Sequence, residues 1–351
     1  MRIMITGNMG YVGPLVVERL RSSHPDADLI GVDTGFFAHC LTTPDLLPET
    51  LLTIQHFADV RELDSRLLDD IDSVVQLAAI SNDPMGKTYE AVTADVNCNA
   101  AIDIARRAKE SGAGSFVFAS SCSVYGFAEG GPRDEESETG PLTAYARSKL
   151  AAEEALAELA GPDFTVTCLR FPTACGMSPR LRLDLVLNDF VASAVASGEI
   201  TILSDGTPWR PLIDVRDMAR AIDWAVTRGA DKGGNFLSVN VGRNEWNYQV
   251  RDLAQAIQKV MPGVEVSINT DAAPDKRSYQ VNFDRYHELA PNHLPQFGLE
   301  QSIVALKEGL ERIGFSDEGF RESQHIRLRV LAGHNQSGRL DETLRWVRTR
   351  T

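Results

Sequence analysis

The chain has 351 residues, enough for about two domains, and its composition of 43% hydrophobic and 24% charged residues is that of an ordinary globular protein. Its 35 basic and 49 acidic side chains give a formal net charge of −14, which argues against binding to nucleic acid and against docking on anionic lipid. A small anionic ligand held by a few local arginines remains compatible with that balance.

From the N-terminus, RIMIT (2–6) predicts a strand, followed by a helix to about Ser22 and by the strands DLIGVD (28–33), LLTIQHF (51–57) and SVVQLAA (73–79). A helix through VNCNAAIDIARRAKE, the strand SFVFASS (115–121), the helix AYARSKLAAEEALAEL and the strand TVTCLRF (165–171) continue the alternation. Strands separated by helices, with continuous apolar runs, indicate an α/β fold with a doubly wound parallel sheet covered on both faces. After Phe171 the rhythm loosens, and loop-rich stretches alternate with helices such as VRDMARAIDWAV and VRDLAQAIQKV. We expect a dinucleotide-binding domain over 1–171, with 213–241 returning to its sheet. A smaller interleaved substrate lobe is expected over 172–212 and 242–351. Cysteines 40, 98, 122, 168 and 175 show no zinc-ligand spacing. Together with a start that is already strand and turn, they predict reduced thiols, a cytoplasmic setting, no metal and no membrane span.

The first turn reads TGNMGYVG, with Gly7, Gly10 and Gly13 enclosing Asn8, Met9, Tyr11 and Val12. Glycines between a strand and a helix let the backbone turn tightly against a pyrophosphate, whose charge rests on the helix N-terminus. The second strand ends in Asp33, where a carboxylate accepts both ribose hydroxyls and repels a 2′-phosphate, so NAD is favoured over NADP; the alternative is a solvated turn aspartate. Asp59 and Val60 are candidate adenine contacts, and Leu77, Ala78 and Ala79 are candidates to run beside the cofactor.

Downstream stands Tyr145-Ala-Arg-Ser-Lys149. Residues i and i+4 share a helix face, so phenol and ammonium point the same way. A lysine and a positive nicotinamide are expected to bring the phenol down from its usual pKa of ~10 towards neutrality, as a general base needs. Ser121, at the end of the preceding strand, is placed to hydrogen-bond the same substrate oxygen. This set suits the removal of a proton and a hydride from a secondary alcohol.

TGNMGYVG, DVN at 95–97, SSCSVYG at 120–126 and YARSK together resemble the extended short-chain dehydrogenase/reductases, in the nucleotide-sugar epimerase/dehydratase branch. The resemblance implies a Rossmann sheet, NAD, a nucleotide-diphosphate-sugar substrate, a homodimer, and cofactor contacts that include Asn97, Ser120 and Phe171. SDGTPWRPLIDVRDMARA, LRFPTACGMSPRLRLD and PDKRSYQVNFD resemble the branch's substrate segments. They imply diphosphate contacts from Arg210 and Arg277, place Asn188 near the position that contacts the sugar nucleotide's phosphates, and give candidate roles to Arg180 and Arg182; the resemblance adds Ser81, Ser123 and Thr173 as candidate substrate contacts. Planar guanidinium groups suit a diphosphate, although pairing with surface acids is the alternative for each. Thr173 departs from the asparagine usual at its position, and Pro172 from the commoner aromatic or polar neighbour.

The 4,6-dehydratases that this chain resembles place an Asp-Glu pair directly after the hydroxyl residue. Here Ser121 is followed by Cys122 and Ser123, so elimination of water lacks its acid and base. That leaves oxidation at C4, rotation of the keto-sugar and return of hydride to the other face. Alternatives on the same scaffold are a 4,6-dehydratase, a C3/C5 epimerase or a 4-keto-sugar reductase; a non-catalytic NAD-binding protein is more remote. Cys122 is a candidate acid or base, but it precedes Tyr125 by three residues where such branch members have two. Neighbouring strand positions face opposite ways, and buried packing is the competing role.

Overall fold

Runs of Val, Ile, Leu and Phe with few polar interruptions form strands buried on both faces, and these build the centre of the molecule. The computed structural model describes residues 1–42, 46–128, 130–272 and 278–347. In chain order the strands are β1 (Arg2–Thr6), β2 (Asp28–Asp33), β3 (Ile54–Phe57), β4 (Ser73–Gln76), β5 (Ser115–Ser121), β6 (Thr165–Phe171), β7 (Thr173–Cys175), β8 (Glu199–Ile202), β9 (Trp209–Asp214), β10 (Phe236–Asn240), β11 (Asn247–Gln249) and β12 (Glu265–Ile268). The helices are α1 (Gly13–Ser23), α2 (Asp83–Thr88), α3 (Glu90–Ala94), α4 (Ala100–Glu110), α5 (Ala144–Leu159), α6 (Val186–Ser197), α7 (Val215–Val226), α8 (Val250–Val260), α9 (Asp284–Leu289), α10 (Leu299–Arg312) and α11 (Arg327–Gln336).

Seven strands pair in the order β10-β6-β5-β4-β1-β2-β3, all parallel. Strand order reverses between β1 and β4, and in an open α/β sheet ligands bind where it does so. One face is covered by α1 and α7, whose Val16, Val17, Leu20, Ala221 and Ile222 share a core with Ile3, Ile5 and Val75. The other is covered by α4 and α5, with Ile104, Ala105, Ala152 and Leu156 against Met4, Val74 and Phe116.

Of the span 213–241, β10 extends the main sheet beside β6 while α7 covers its face. Ile213 and Asp214 instead finish β9, which pairs with β7 and β11 in a separate three-stranded sheet. β8 and β12 form a parallel pair, and α6, α8 and α10 pack with these strands in the lobe beside the cleft. The helix read from residue 96 begins earlier: α3 runs into a single π-turn over Asp95–Asn99 before α4. Such a turn commonly marks a functional position. Among the described residues, no helix is long and apolar enough to cross a membrane.

Candidate active site

A cleft of about 1150 Å³ opens above the point where β1 and β4 diverge. Thr6 ties the two strands together: its hydroxyl donates to Gln76 Oε1 at 2.9 Å and accepts from the Ala78 N–H at 3.3 Å. This draws Leu77, Ala78 and Ala79 against the glycine turn. Gly7 has φ +71°, and a methyl group there would lie 2.5 Å from the Ala78 nitrogen, so side chain and backbone geometry both exclude other residues. Helix α1 starts with no side-chain cap and no acidic residue in its first turn. Gly10, Tyr11, Val12 and Gly13 line the cleft at that N-terminus. Uncapped N–H groups facing a cavity suit a diphosphate. Asp33 also lines the cleft and accepts from the backbone N–H of Met9 (3.0 Å) and Gly35 (2.8 Å). Burial pushes its carboxyl up while those two donors hold it down. The turn, the uncapped helix and the carboxylate fit a dinucleotide without a 2′-phosphate.

At the other end, Ser121 closes β5 and Tyr145 stands on the first turn of α5. Thr143 caps α5 by accepting from the Ala146 N–H at 3.2 Å and donates to Asp83 at 2.7 Å, which pins the helix start to α2. Ser121, Tyr145 and Lys149 all face the cleft. The Tyr145 phenol is pushed up to about 12, chiefly by burial, with a hydrogen bond from Ser121 acting the other way. Burial pulls Lys149 down to about 8. Its Nζ lies 5.8 Å from the Tyr145 ring centre and donates to the Ala119 carbonyl at 2.8 Å. Lysine does not by itself make the tyrosine acidic here, contrary to the expectation from spacing: desolvation outweighs it.

One stripe of α5 continues from Tyr145 and Lys149 to Glu153. Glu153 forms a buried ion pair with Arg170 at 2.7 Å and accepts from Ser120 and Ser238. Arg170 also donates to the Tyr125 hydroxyl at 3.0 Å, which in turn donates to Asn240 at 2.8 Å. A buried pair with its remaining hydrogen bonds satisfied rigidifies what it joins.

Of the other candidates, Asp59, Val60, Leu77, Ala78, Ala79, Ser120, Phe171, Ser81, Ser123, Thr173 and Arg210 also line the cleft. Asp59 is paired with Arg61 at 2.5 Å. Six other candidates stand away from the wall. Asn8 bonds to Gln55, and Met9 is packed with its N–H on Asp33. Asn97 sits in the π-turn, accepting from the Ile80 N–H at 2.8 Å and donating to its carbonyl at 3.0 Å, so it positions the cleft segment 77–81 without touching the cavity. Cys122 is fully buried, its thiol pushed well up by burial and donating to the Arg170 carbonyl at 3.1 Å. It turns into the core where the hydroxyls on either side face the cleft. Arg180 is buried against Glu49 at 2.7 Å, and its neighbour Arg182 lines the cleft instead, bonded to Asp184 and Ser81. Asn188 braces the substrate segment to the glycine turn, accepting from the Gly176 N–H and donating to the Tyr11 hydroxyl. Arg277 lies outside the described residues. Sequence reasoning missed Asn82, Asp83, Asp184, Arg61 and Tyr279 on the wall. Of these, Asp184 and Tyr279 fell in quoted segments, SPRLRLD and PDKRSYQVNFD, but neither was singled out.

Residues 3–242 match the family described as the NAD dependent epimerase/dehydratase family. The protein named uncharacterized UDP-glucose epimerase YtcB of Bacillus subtilis strain 168 is 29% identical over 232 residues, 63% of this chain and 71% of that protein. UDP-glucose 4-epimerase of Pasteurella multocida strain Pm70 is 28% identical over 289 residues, 74% of this chain and 82% of the relative. Among solved structures, MoeE5 in complex with UDP-glucuronic acid and NAD superimposes with a TM-score of 0.75 at 23% identity, covering 89% of this chain and 99% of the other. The fold is shared, and this chain is the longer of the two.

Proposed function

The chain belongs to the NAD dependent epimerase/dehydratase family, and from that premise we propose that it is a nucleotide-diphosphate-sugar epimerase acting at C4. The observation that carries this reading is the pairing of Ser121 with Tyr145 on the cleft wall, with no carboxyl at the next two positions. Bound NAD supplies a hydride acceptor and later a hydride donor for the sugar carbon, together with a positive charge.

With its pKa pushed up to about 12, the Tyr145 phenol is protonated at neutral pH until a positive charge enters the cleft. Once ionised, its oxygen takes the proton of the sugar 4-hydroxyl while the Ser121 hydroxyl donates to the same oxygen. The ketone then turns over in the cleft, and Tyr145 gives the proton back. Gly7, Gly10 and the start of α1 hold the cofactor diphosphate, and Asp33 accepts from the adenosine ribose. Arg210, and Arg277 beyond the described residues, bind the substrate diphosphate. Cys122, facing the core, takes a packing role. The homodimer and the cytoplasmic setting belong to the same proposal; Arg147, Ala151, Glu154 and Glu158 line the exposed face of α5, the surface a symmetry mate would meet.

Incubation with UDP-hexoses and their GDP, CDP and dTDP counterparts, followed by proton NMR, tests the reading. The expected result is inversion at C4 with no net NADH. A product that has lost water, or one inverted only at C3 or C5, would overturn it.

A further inference from the structure

Beyond α10 the chain runs back across the molecule to the rim of β2. Helix α11 buries Arg327, Val330, Leu331 and His334. Residues 339–347 then close on themselves: the Val347 N–H donates to the Arg339 carbonyl, and Asp341 accepts from the N–H groups of Thr343 and Arg345. Leu344, at φ 55°, turns inward.

This segment is fastened to the adenosine end of the cleft by contacts of several kinds. The Trp346 indole donates to the Thr34 carbonyl at 2.7 Å, and the His334 ring donates to the Phe36 carbonyl at 3.0 Å. The Trp346 ring lies 5.6 Å from that of Phe36. Arg61, next to Val60, donates to the carbonyls of Thr343 (2.7 Å) and Leu344 (3.2 Å). Leu331 and Leu344 are fully buried beside the part of the cleft that holds Asp33 and Val60, and they share one apolar cluster with Val32 and Val60. They back this wall from behind and anchor the C-terminal segment to it.

We propose that residues 327–347 form a strap that holds Thr34, Phe36 and Arg61 around the adenosine end of the cleft, and that the strap retains NAD between turnovers. The proposal rests on NAD as the cofactor and not on which sugar carbon is inverted. A cofactor that must be reduced and reoxidised in place gains from slow release, and the strap slows release because it must detach before the adenosine can leave.

The test measures release of radiolabelled NAD from the full-length protein into excess unlabelled NAD, beside the variants Leu344→Ala and Trp346→Ala and a chain ending at Gly338. Trp346 is 41% exposed, so its replacement keeps a folded variant available if the truncation fails to fold. Release on the order of tenfold faster is expected for Leu344→Ala and the truncation, and a smaller acceleration for Trp346→Ala. Binding of uridine diphosphate at saturating NAD should stay unchanged. Release within about twofold of the parent in both folded point variants would overturn the strap, as would a parallel loss of uridine diphosphate binding. A parent that binds no NAD at all would sink the cofactor assignment itself, a result distinct from parent-like release.

Discussion

At the end of the cleft where we propose proton transfer, Tyr145 and Lys149 are desolvated side by side, and Lys149 donates to a backbone carbonyl instead of a carboxylate. At the adenosine end, Arg61 is neutralised by Asp59 and satisfied by two carbonyls of the C-terminal segment. The first arrangement leaves both groups far from their ordinary proton affinities, with the phenol raised and the ammonium lowered. The second leaves no charge unmet. The proposed chemistry thus sits where desolvation opposes the charged forms of both groups, whereas the Asp59–Arg61 pair serves to hold the C-terminal segment.

The largest effect that would break this comparison is at Tyr145. Tyr145→Phe is expected to lower turnover by about 10³-fold while NAD stays bound, as read by sugar NMR beside the NAD content of the purified protein. Turnover near that of the parent would place the proton transfer elsewhere. A smaller but still large effect is expected at the opposite end. Gly7→Ala brings a methyl group 2.5 Å from the Ala78 nitrogen at a backbone angle that alanine disfavours. It should force the turn away from Ala78, lowering the melting temperature of the NAD-free protein, and weaken NAD binding on the order of 100-fold in calorimetry. Affinity equal to the parent's would mean that the position of this turn does not govern cofactor binding.

The smallest effect sharpens the comparison. Lys149 has a folded-state pKa of about 8, below its ordinary 10.5. Between these values the unfolded chain binds the extra proton, so this group's penalty on the NAD-free fold is fully present below about pH 8 and is relieved as pH rises towards 10.5. In thermal melts without NAD, the parent should gain stability relative to Lys149→Met over that window. A gap that stays constant with pH would show that burial does not govern this lysine.

That the glycine turn, Asp33, Ser121, Tyr145 and Lys149 border one cleft was legible in the sequence because each placement is local: it depends on a turn, a strand end or one helix face. Arg180 and Asn188 were not, since a resemblance locates a segment but not which of its neighbours faces the cleft. Glu49, 131 residues away from Arg180, decides that it turns inward while Arg182 faces the cavity. Asn97 was read as a cofactor contact, but the π-turn aims it at Ile80 instead, which no local pattern reveals. The strap left no signal, because its partners at Thr34, Phe36 and Arg61 are about 300 positions distant in sequence.

The ion pair between Glu153 and Arg170 indexes the helix that carries the phenol. Two turns beyond Tyr145, it fixes α5 along its own axis against β6, and every group it engages belongs to the large sheet or to the Tyr125 turn. None of these partners comes from residues 172–212 or 242–347. Those segments could therefore be exchanged for others, by evolution or by an engineer, with this anchor of α5 kept.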